Sequence, residues 1–156
     1  MKITVIGGGN IGTLMAAEMA AKGHSVTMFT SKPDKWNTQL QVYDAAEHML
    51  LTGTLAQVTS DLAQAVRDAE MIFVTMPAET FSALAARLLP AVHAGQYIGV
   101  VPGSGGAELA MKALIDKGCI LFGLQRVHSI ARLKQYGSAV YMLGRKSELH
   151  IASIPN

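Results

Sequence analysis

The chain has 156 residues, which is room for one domain with one hydrophobic core. Half of its residues are hydrophobic, and its net charge of +2 is too small to indicate a nucleic-acid partner. No apolar run approaches the ~20 residues that span a membrane, and a single cysteine, Cys119, excludes an internal disulfide. We therefore expect a one-domain cytoplasmic protein, with neither nucleic acid nor a membrane among its partners.

The N-terminus carries the strongest motif. A short apolar strand at residues 3–6 runs directly into the glycine-rich segment 7–12 (GGGNIG). A helix-forming stretch at residues 13–22 follows. The glycines stand in the order G-x-G-x-x-G between a strand and a helix, which is the context of a dinucleotide-binding fingerprint. A glycine-rich turn without a ligand is the alternative.

Each residue of this loop has a role in that interpretation. Gly7 permits the tight turn, Gly9 lets the backbone approach a pyrophosphate, and Gly12 lets helix and strand pack closely. Asn10 and Ile11 lie between these glycines, ahead of the predicted helix, whose free N–H groups and dipole hold an anionic diphosphate. We expect all five to bind the cofactor.

Apolar runs predict further strands, and apolar stripes at helical spacing predict further helices. The predicted strands lie at residues 25–30, 40–43, 56–59, 71–75, 97–101 and 119–124. The predicted helices lie at residues 62–67, 81–92 and 107–117, the first of them capped by Ser60-Asp61. Because strands and helices alternate, we expect an α/β, Rossmann-type doubly wound fold with a mostly parallel sheet.

The pattern changes near the C-terminus. Strands are predicted at residues 127–133, 139–143 and 149–154, without helices between them. We expect these C-terminal strands to be antiparallel and to extend one edge of the sheet.

The end of the second strand indicates the type of cofactor. Domains that bind NAD usually carry an acidic residue there, which holds the ribose 2′-hydroxyl. Here the chain reads Thr30-Ser31-Lys32, two hydroxyls and a cation, with no carboxylate to repel a 2′-phosphate. This favours NADP over NAD, although Lys32 as an ordinary solvated loop lysine remains an alternative.

Two later strand ends also face the expected cofactor path. Met76 and Pro77 follow the strand at residues 71–75, and Pro102 and Gly103 open a second glycine-rich turn. Backbone N–H groups after this turn are expected to meet the nicotinamide amide or a substrate carboxylate, and an ordinary tight turn is the alternative. No catalytic residue and no metal site is identifiable from the sequence.

Arg126 and His128 are the candidate substrate residues. Alternation along a strand would place both side chains on one side, where they could face a substrate carboxylate. An edge-strand pair that is solvated or bonded to the backbone is an equal alternative.

Several segments together carry a family resemblance. The glycine loop, residues 29–33 with Trp36, and residues 58–62, 74–78, 102–107 and 125–128 resemble the N-terminal domain of the octopine/nopaline (opine) dehydrogenases. The resemblance covers essentially the whole chain. Ketopantoate reductases and glycerol-3-phosphate dehydrogenases share the glycine loop and the segment at residues 74–78, so the identification rests on the order and spacing of the set.

The resemblance implies an NAD(P)-dependent oxidoreductase that condenses an amino acid with a 2-oxo acid and reduces the imine with a nicotinamide hydride. It also implies a C-terminal helical domain that supplies a catalytic His–Asp pair. We expect residues 1–156 to be the dinucleotide-binding half, a fragment or truncated product that is inactive alone. A ketopantoate reductase-like 2-oxo acid reductase domain is one alternative, and a non-catalytic nucleotide-sensing module, which a stable homodimer would favour, is another.

Overall fold

The computed structural model describes residues 1–155 and contains two β-sheets and five short to medium α-helices within that range. The strands are β1 (Lys2–Ile6), β2 (Ser25–Phe29), β3 (Gln39–Tyr43), β4 (Met49–Thr54), β5 (Gln57–Thr59), β6 (Met71–Val74), β7 (Tyr97–Val100), β8 (Ile120–Leu124), β9 (Ser129–Gln135), β10 (Ala139–Arg145) and β11 (Ile151–Ile154). The helices are α1 (Asn10–Ala21), α2 (Leu62–Val66), α3 (Phe81–Leu88), α4 (Ala107–Ala110) and α5 (Lys112–Asp116).

The larger sheet has seven strands in the order β11-β8-β7-β6-β1-β2-β5. Every neighbouring pair from β8 to β5 is parallel, and β11 joins β8 in antiparallel fashion. The chain moves outward from β1 in one direction and returns to build β6, β7 and β8 in the other. The strand order therefore reverses beside β1, which is where open α/β sheets bind ligands. The predicted Rossmann-type fold is confirmed.

The central strands are buried on both faces. In β6, Ile72 and Val74 pack with α2 and α3 on one side, while Phe73 packs on the side of α1. This explains why the strand is a continuous apolar run rather than an alternating one. Of the predicted capping pair Ser60-Asp61, Asp61 is the N-cap of α2, because its carboxylate oxygen accepts the amide hydrogen of Gln64 at 3.0 Å.

The second sheet corrects the expectation for the C-terminal strands. Of the three, only β11 extends the large sheet, whereas β9 and β10 join β3 and β4 in a four-stranded sheet of order β4-β3-β10-β9. This sheet packs on α1, which is buried continuously from Gly12 to Glu18. A helix that is apolar nearly all round needs cover on its outer side, and the second sheet provides it.

Strand β4 is not among the predicted strands, because residues 39–59 alternate only weakly and contain the segment Thr52-Gly53-Thr54. The structure gives that glycine a packing role. A β-carbon at Gly53 would lie 2.2 Å from the carbonyl oxygen of Ala17, so only glycine lets β4 approach α1.

Several helix boundaries also differ from the predicted ones. Helix α1 begins at Asn10, directly after the second glycine of the motif, rather than at residue 13. The predicted helix at residues 107–117 is two single turns that break at Met111, and α3 ends at Leu88. Within residues 1–155, no helix has both the length and the apolar character needed to cross a membrane.

Candidate functional site

The glycine loop joins β1 to α1 at the carboxyl edge of the large sheet. Gly7 has a φ of +111° and donates its amide hydrogen to the carbonyl of Phe29 at 3.3 Å. The first bond of α1 runs from the Thr13 amide to the Gly9 carbonyl at 3.0 Å. The amides of residues 10–12 precede that bond, so these three amides have no helical acceptor and are available to an anion.

The three motif glycines are required for different reasons. A β-carbon at Gly12 would lie 1.8 Å from the carbonyl oxygen of Gly7, and one at Gly7 would lie 2.7 Å from the Thr75 hydroxyl. A β-carbon at Gly9 would meet no atom within 4 Å. Packing therefore accounts for Gly7 and Gly12, while the backbone of Gly9 is left open to a ligand.

Trp36 lies directly behind this loop and is the only tryptophan of the chain. A β-carbon at Gly8 would come within 2.5 Å of the Trp36 ring, which is buried. The sequence motif does not single out Gly8, because its middle positions are variable. The contact makes Trp36 an internal fluorescent reporter of events at the glycine loop.

A groove of about 500 Å³ opens beside the loop, at the carboxyl ends of β1, β2, β5 and β6. Of the predicted cofactor residues, Gly7, Thr30, Ser31 and Met76 line it. Lys32 and Pro77 are exposed nearby in sequence but do not belong to the lining.

The end of β2 is held by side chains from distant parts of the sequence. The Thr30 hydroxyl accepts the amide hydrogen of Lys32 at 3.3 Å and lies 3.4 Å from the hydroxyl of Tyr136. The Thr30 hydroxyl lowers the pKa of Tyr136, and the charges of Lys32 and Lys35 act in the same direction. Tyr136 comes from the β9–β10 turn, so no local sequence signal could place it in this groove.

Asn10 has an additional role that the motif did not predict. Its side-chain oxygen accepts the amide hydrogen of Leu133 at 2.7 Å, which ties β9 to the start of α1. The Asn10 side chain is therefore structural, and only its backbone amide is free to face a ligand.

The second glycine-rich turn differs from its expected geometry. The amide of Gly103 donates to the carbonyl of Leu124 at 2.6 Å, and that of Ala107 donates to Ser104 at 3.1 Å. Neither amide is free for a ligand, although Gly103 lines a separate groove of about 450 Å³ between α4 and β11. Pro102 is exposed beside it.

The strand geometry expected for Arg126 and His128 is wrong, because β9 begins only at Ser129. Arg126 is exposed, whereas His128 is half-buried with its Nε2 atom 2.7 Å from a carboxylate oxygen of Glu18. Arg145 pairs with the other oxygen of the same carboxylate. Helix α1 thus anchors the segment that follows β8, and strand alternation does not govern its side chains.

Glu18→Ala should reduce the stability of the fold. The buried carboxylate serves two partners, but the Arg145 side chain is half-exposed, so its charge stays solvated when the carboxylate is removed. We therefore expect a loss of about 1–3 kcal/mol rather than the larger cost of an isolated buried charge. Urea unfolding followed by Trp36 fluorescence measures it, with Glu148→Ala at an exposed site as the control. Equal midpoints for both variants would contradict a stabilising role for Glu18.

Within residues 1–155, no group of three or more His, Cys, Asp or Glu side chains is placed to hold a metal ion.

Solved structures with the same fold include several dehydrogenases. An octopine dehydrogenase in complex with NADH and agmatine has a TM-score of 0.89 at 22% identity, covering 99% of this chain and 42% of its own. A yersinopine dehydrogenase with NADP⁺ bound has a TM-score of 0.77 at 15% identity, covering 98% and 41%. A probable 2-dehydropantoate 2-reductase from Bacillus subtilis has a TM-score of 0.75 at 17% identity, covering 100% and 50%. At these identities the similarity establishes the fold.

Sequence relatives agree with the predicted resemblance. A protein of Sinorhizobium fredii is 30% identical over 97% of this chain and 43% of its own length. An opine dehydrogenase of Arthrobacter sp. is 33% identical over 71% of this chain and 32% of its own. A glycerol-3-phosphate dehydrogenase [NAD(P)+] of Geobacter sp. is 33% identical over 74% and 35%. The chain spans less than half the length of each of these relatives.

A family model decides the membership. Residues 2–117 extend from β1 to the residue that directly follows α5. They match the family described as NAD-dependent glycerol-3-phosphate dehydrogenase N-terminus. This range contains the glycine loop and all parallel strands of the large sheet except β8. The chain therefore belongs to the family of NAD-dependent glycerol-3-phosphate dehydrogenase N-terminal domains and has the fold of the octopine dehydrogenases.

Proposed function

We propose that this chain is the NAD(P)-binding domain of an opine dehydrogenase-like oxidoreductase. The observation that carries the proposal is the open backbone at Gly9, beside helix amides without acceptors and at the point where the strand order reverses. The packing of the fold does not require a glycine there, while the approach of a pyrophosphate does.

The residues of the loop and groove divide the work of holding the cofactor. The amides of Asn10, Ile11 and Gly12 bind the pyrophosphate, and the dipole of α1 favours its negative charge. Thr30 and Ser31 face the adenosine ribose at the end of β2. When bound in its reduced form, NADPH, or NADH in its place, would supply the hydride that reduces an imine.

We assign the nicotinamide end of the cofactor to the segments that directly follow β6, β7 and β8. Met76 and Pro77 follow β6, and Pro102 and Gly103 follow β7, all at the same edge of the sheet as the glycine loop. Arg126 follows β8 and is the candidate partner of a substrate carboxylate. We assign His128 a positioning role, because Glu18 holds its ring.

We assign the binding of the amino acid and the 2-oxo acid, and the catalytic His–Asp pair, to the full-length enzyme. Octopine dehydrogenase structures with L-arginine and with pyruvate support these substrate classes. A ketopantoate reductase-like domain is the second candidate, supported by the fold of the B. subtilis reductase. A 2-oxo acid accepted without an amino acid, in an enzyme completed by its C-terminal domain, would favour that candidate.

The 156-residue chain is expected to bind a dinucleotide and to turn nothing over. It contains the loop for binding, while general acid–base groups and the rest of the substrate pocket are proposed to lie in a second domain. Titration with NADPH and NADH, followed by Trp36 fluorescence and calorimetry, measures binding, and gel filtration of the same sample tests for a homodimer. Steady oxidation of NADPH with pyruvate and any amino acid would contradict the proposal, as would no binding of either cofactor.

A further inference from the structure

Arg87, on the last turn of α3, is the only charged residue among the described residues that line the groove beside the glycine loop. Its guanidinium carbon lies 5.5 Å from the centre of the Phe29 ring, so the cation makes a cation–π contact with the last residue of β2. Within residues 1–155, no carboxylate oxygen lies within 4 Å of it in an ion pair. The guanidinium is therefore positioned over the ring and has no anionic partner among the residues that the structure describes.

The rest of the lining is suited to an anion. Ser31 and Ser60 contribute hydroxyl groups, the Thr80 hydroxyl donates to the carbonyl of Pro77 at 2.6 Å, and no aspartate or glutamate is among the described residues of the lining. Hydroxyl donors around an unpaired guanidinium are the usual ligands of a phosphate monoester, which accepts several hydrogen bonds and carries two negative charges. A ribose 2′-hydroxyl would instead call for an acidic acceptor at this place.

The position of the groove identifies which phosphate is involved. The glycine loop and the start of α1 take the pyrophosphate, and the groove extends from Gly7 and Gly8 past the end of β2. The group beside the end of β2 in such a complex is the adenosine ribose. An anion at Ser31 and Arg87 is then the substituent on the 2′-position of that ribose.

We infer that Arg87 binds the 2′-phosphate of NADP and is the residue that selects NADP over NAD, a role that rests on the proposed dinucleotide-binding function. Both Lys32 and Arg87 are exposed, but Lys32, which the sequence alone favoured, lies outside the groove lining. Its attraction for the phosphate is therefore weaker. Arg87 offers two parallel donors to one phosphate, whereas a lysine offers a point charge.

The test compares Arg87→Gln with Lys32→Gln and with Arg67→Gln, the last being an exposed arginine at the end of α2 and the matched control. Calorimetry measures binding of NADP⁺ and NAD⁺ at fixed salt. It also measures 2′,5′-ADP and 5′-AMP, which differ only by the 2′-phosphate. Trp36 emission and the thermal midpoint verify that each variant is folded.

Arg87→Gln should weaken NADP⁺ and 2′,5′-ADP by about tenfold or more, the value of a charge-assisted hydrogen bond. NAD⁺ and 5′-AMP should stay within about twofold, as for a surface substitution without lost contacts. Lys32→Gln should cost less than Arg87→Gln, and Arg67→Gln should match the parent. Arg87→Lys should recover part of the affinity.

Equal losses for NADP⁺ and NAD⁺ in Arg87→Gln would overturn the inference, because they would assign Arg87 to the adenine instead. No loss for either, or a larger loss in Lys32→Gln, would also overturn it. Failure of the proposed function has a different signature: the parent chain itself would bind none of the four ligands.

Discussion

Gly9→Val is expected to abolish dinucleotide binding while leaving the fold intact. The backbone at Gly9 has φ −81° and ψ −163°, an extended conformation that valine adopts readily, and no atom lies within 4 Å of the added β-carbon. The new side chain would occupy the space where the pyrophosphate meets the helix amides. Losing two charge-assisted hydrogen bonds of about 1.5–3 kcal/mol each weakens binding by about 100-fold or more.

Calorimetry with NADP⁺ and NAD⁺ tests this prediction, and both cofactors should be affected equally because both carry the pyrophosphate. Gly144→Val on β10 is a suitable control, because its β-carbon would meet only an ordinary contact with Ile130 at 3.7 Å. This control should bind like the parent. Unchanged affinity in Gly9→Val would mean that the ligand does not contact the glycine loop.

Gly12→Ala should have the opposite effect, damaging the fold itself. The β-carbon would lie 1.8 Å from the carbonyl oxygen of Gly7 and 2.7 Å from the Thr75 hydroxyl, so α1 and β1 would have to separate. One of these atoms is backbone and cannot rotate away. We expect a loss of about 3 kcal/mol or more in the free energy of unfolding, at the upper end for an overpacked core.

Urea denaturation followed by Trp36 fluorescence and circular dichroism measures this loss. Gly9→Ala is the matched control, because it adds the same methyl group three residues away in open space. It should unfold near the parent midpoint. A parental midpoint for Gly12→Ala would show that the contact between helix and strand is looser than the geometry indicates.

Together these glycine variants separate two requirements that the motif combines. Gly12 is needed because two backbone segments touch, and Gly9 is needed because a ligand approaches. The motif has the same letters in both cases, and only the surrounding atoms distinguish them.

The large sheet could be predicted because its signals are local. A strand such as β6 is apolar on both faces, the glycine loop follows β1 at once, and Asp61 caps α2 from the position directly before the helix. Each of these features depends on residues close together in the sequence. The resemblance to the opine dehydrogenases rests on the same local segments.

The second sheet could not be predicted in the same way, because the contacts that determine it are made with another element, helix α1. Strand β4 exists beside α1 because Gly53 tolerates the approach of Ala17, and β9 is tied to the glycine loop through Asn10 and Leu133. The paired strands β9 and β10 carry no mark that distinguishes an edge of the large sheet from a separate sheet. The apolar outer side of α1 decides between them, because the separate sheet is what buries it.

The sequence by itself determined the Rossmann-type sheet, the glycine loop and the absence of an acidic residue after β2. Tertiary structure alone decided which side chains meet in the groove. It placed Arg87 of α3 over the Phe29 ring and Tyr136 of the β9–β10 turn beside Thr30, and it paired His128 with Glu18 rather than with Arg126. The physical reason is that a hydrogen-bonding partner or a cation is selected by distance in space. Tyr136 and Thr30 are 106 residues apart in the chain and 3.4 Å apart in the fold.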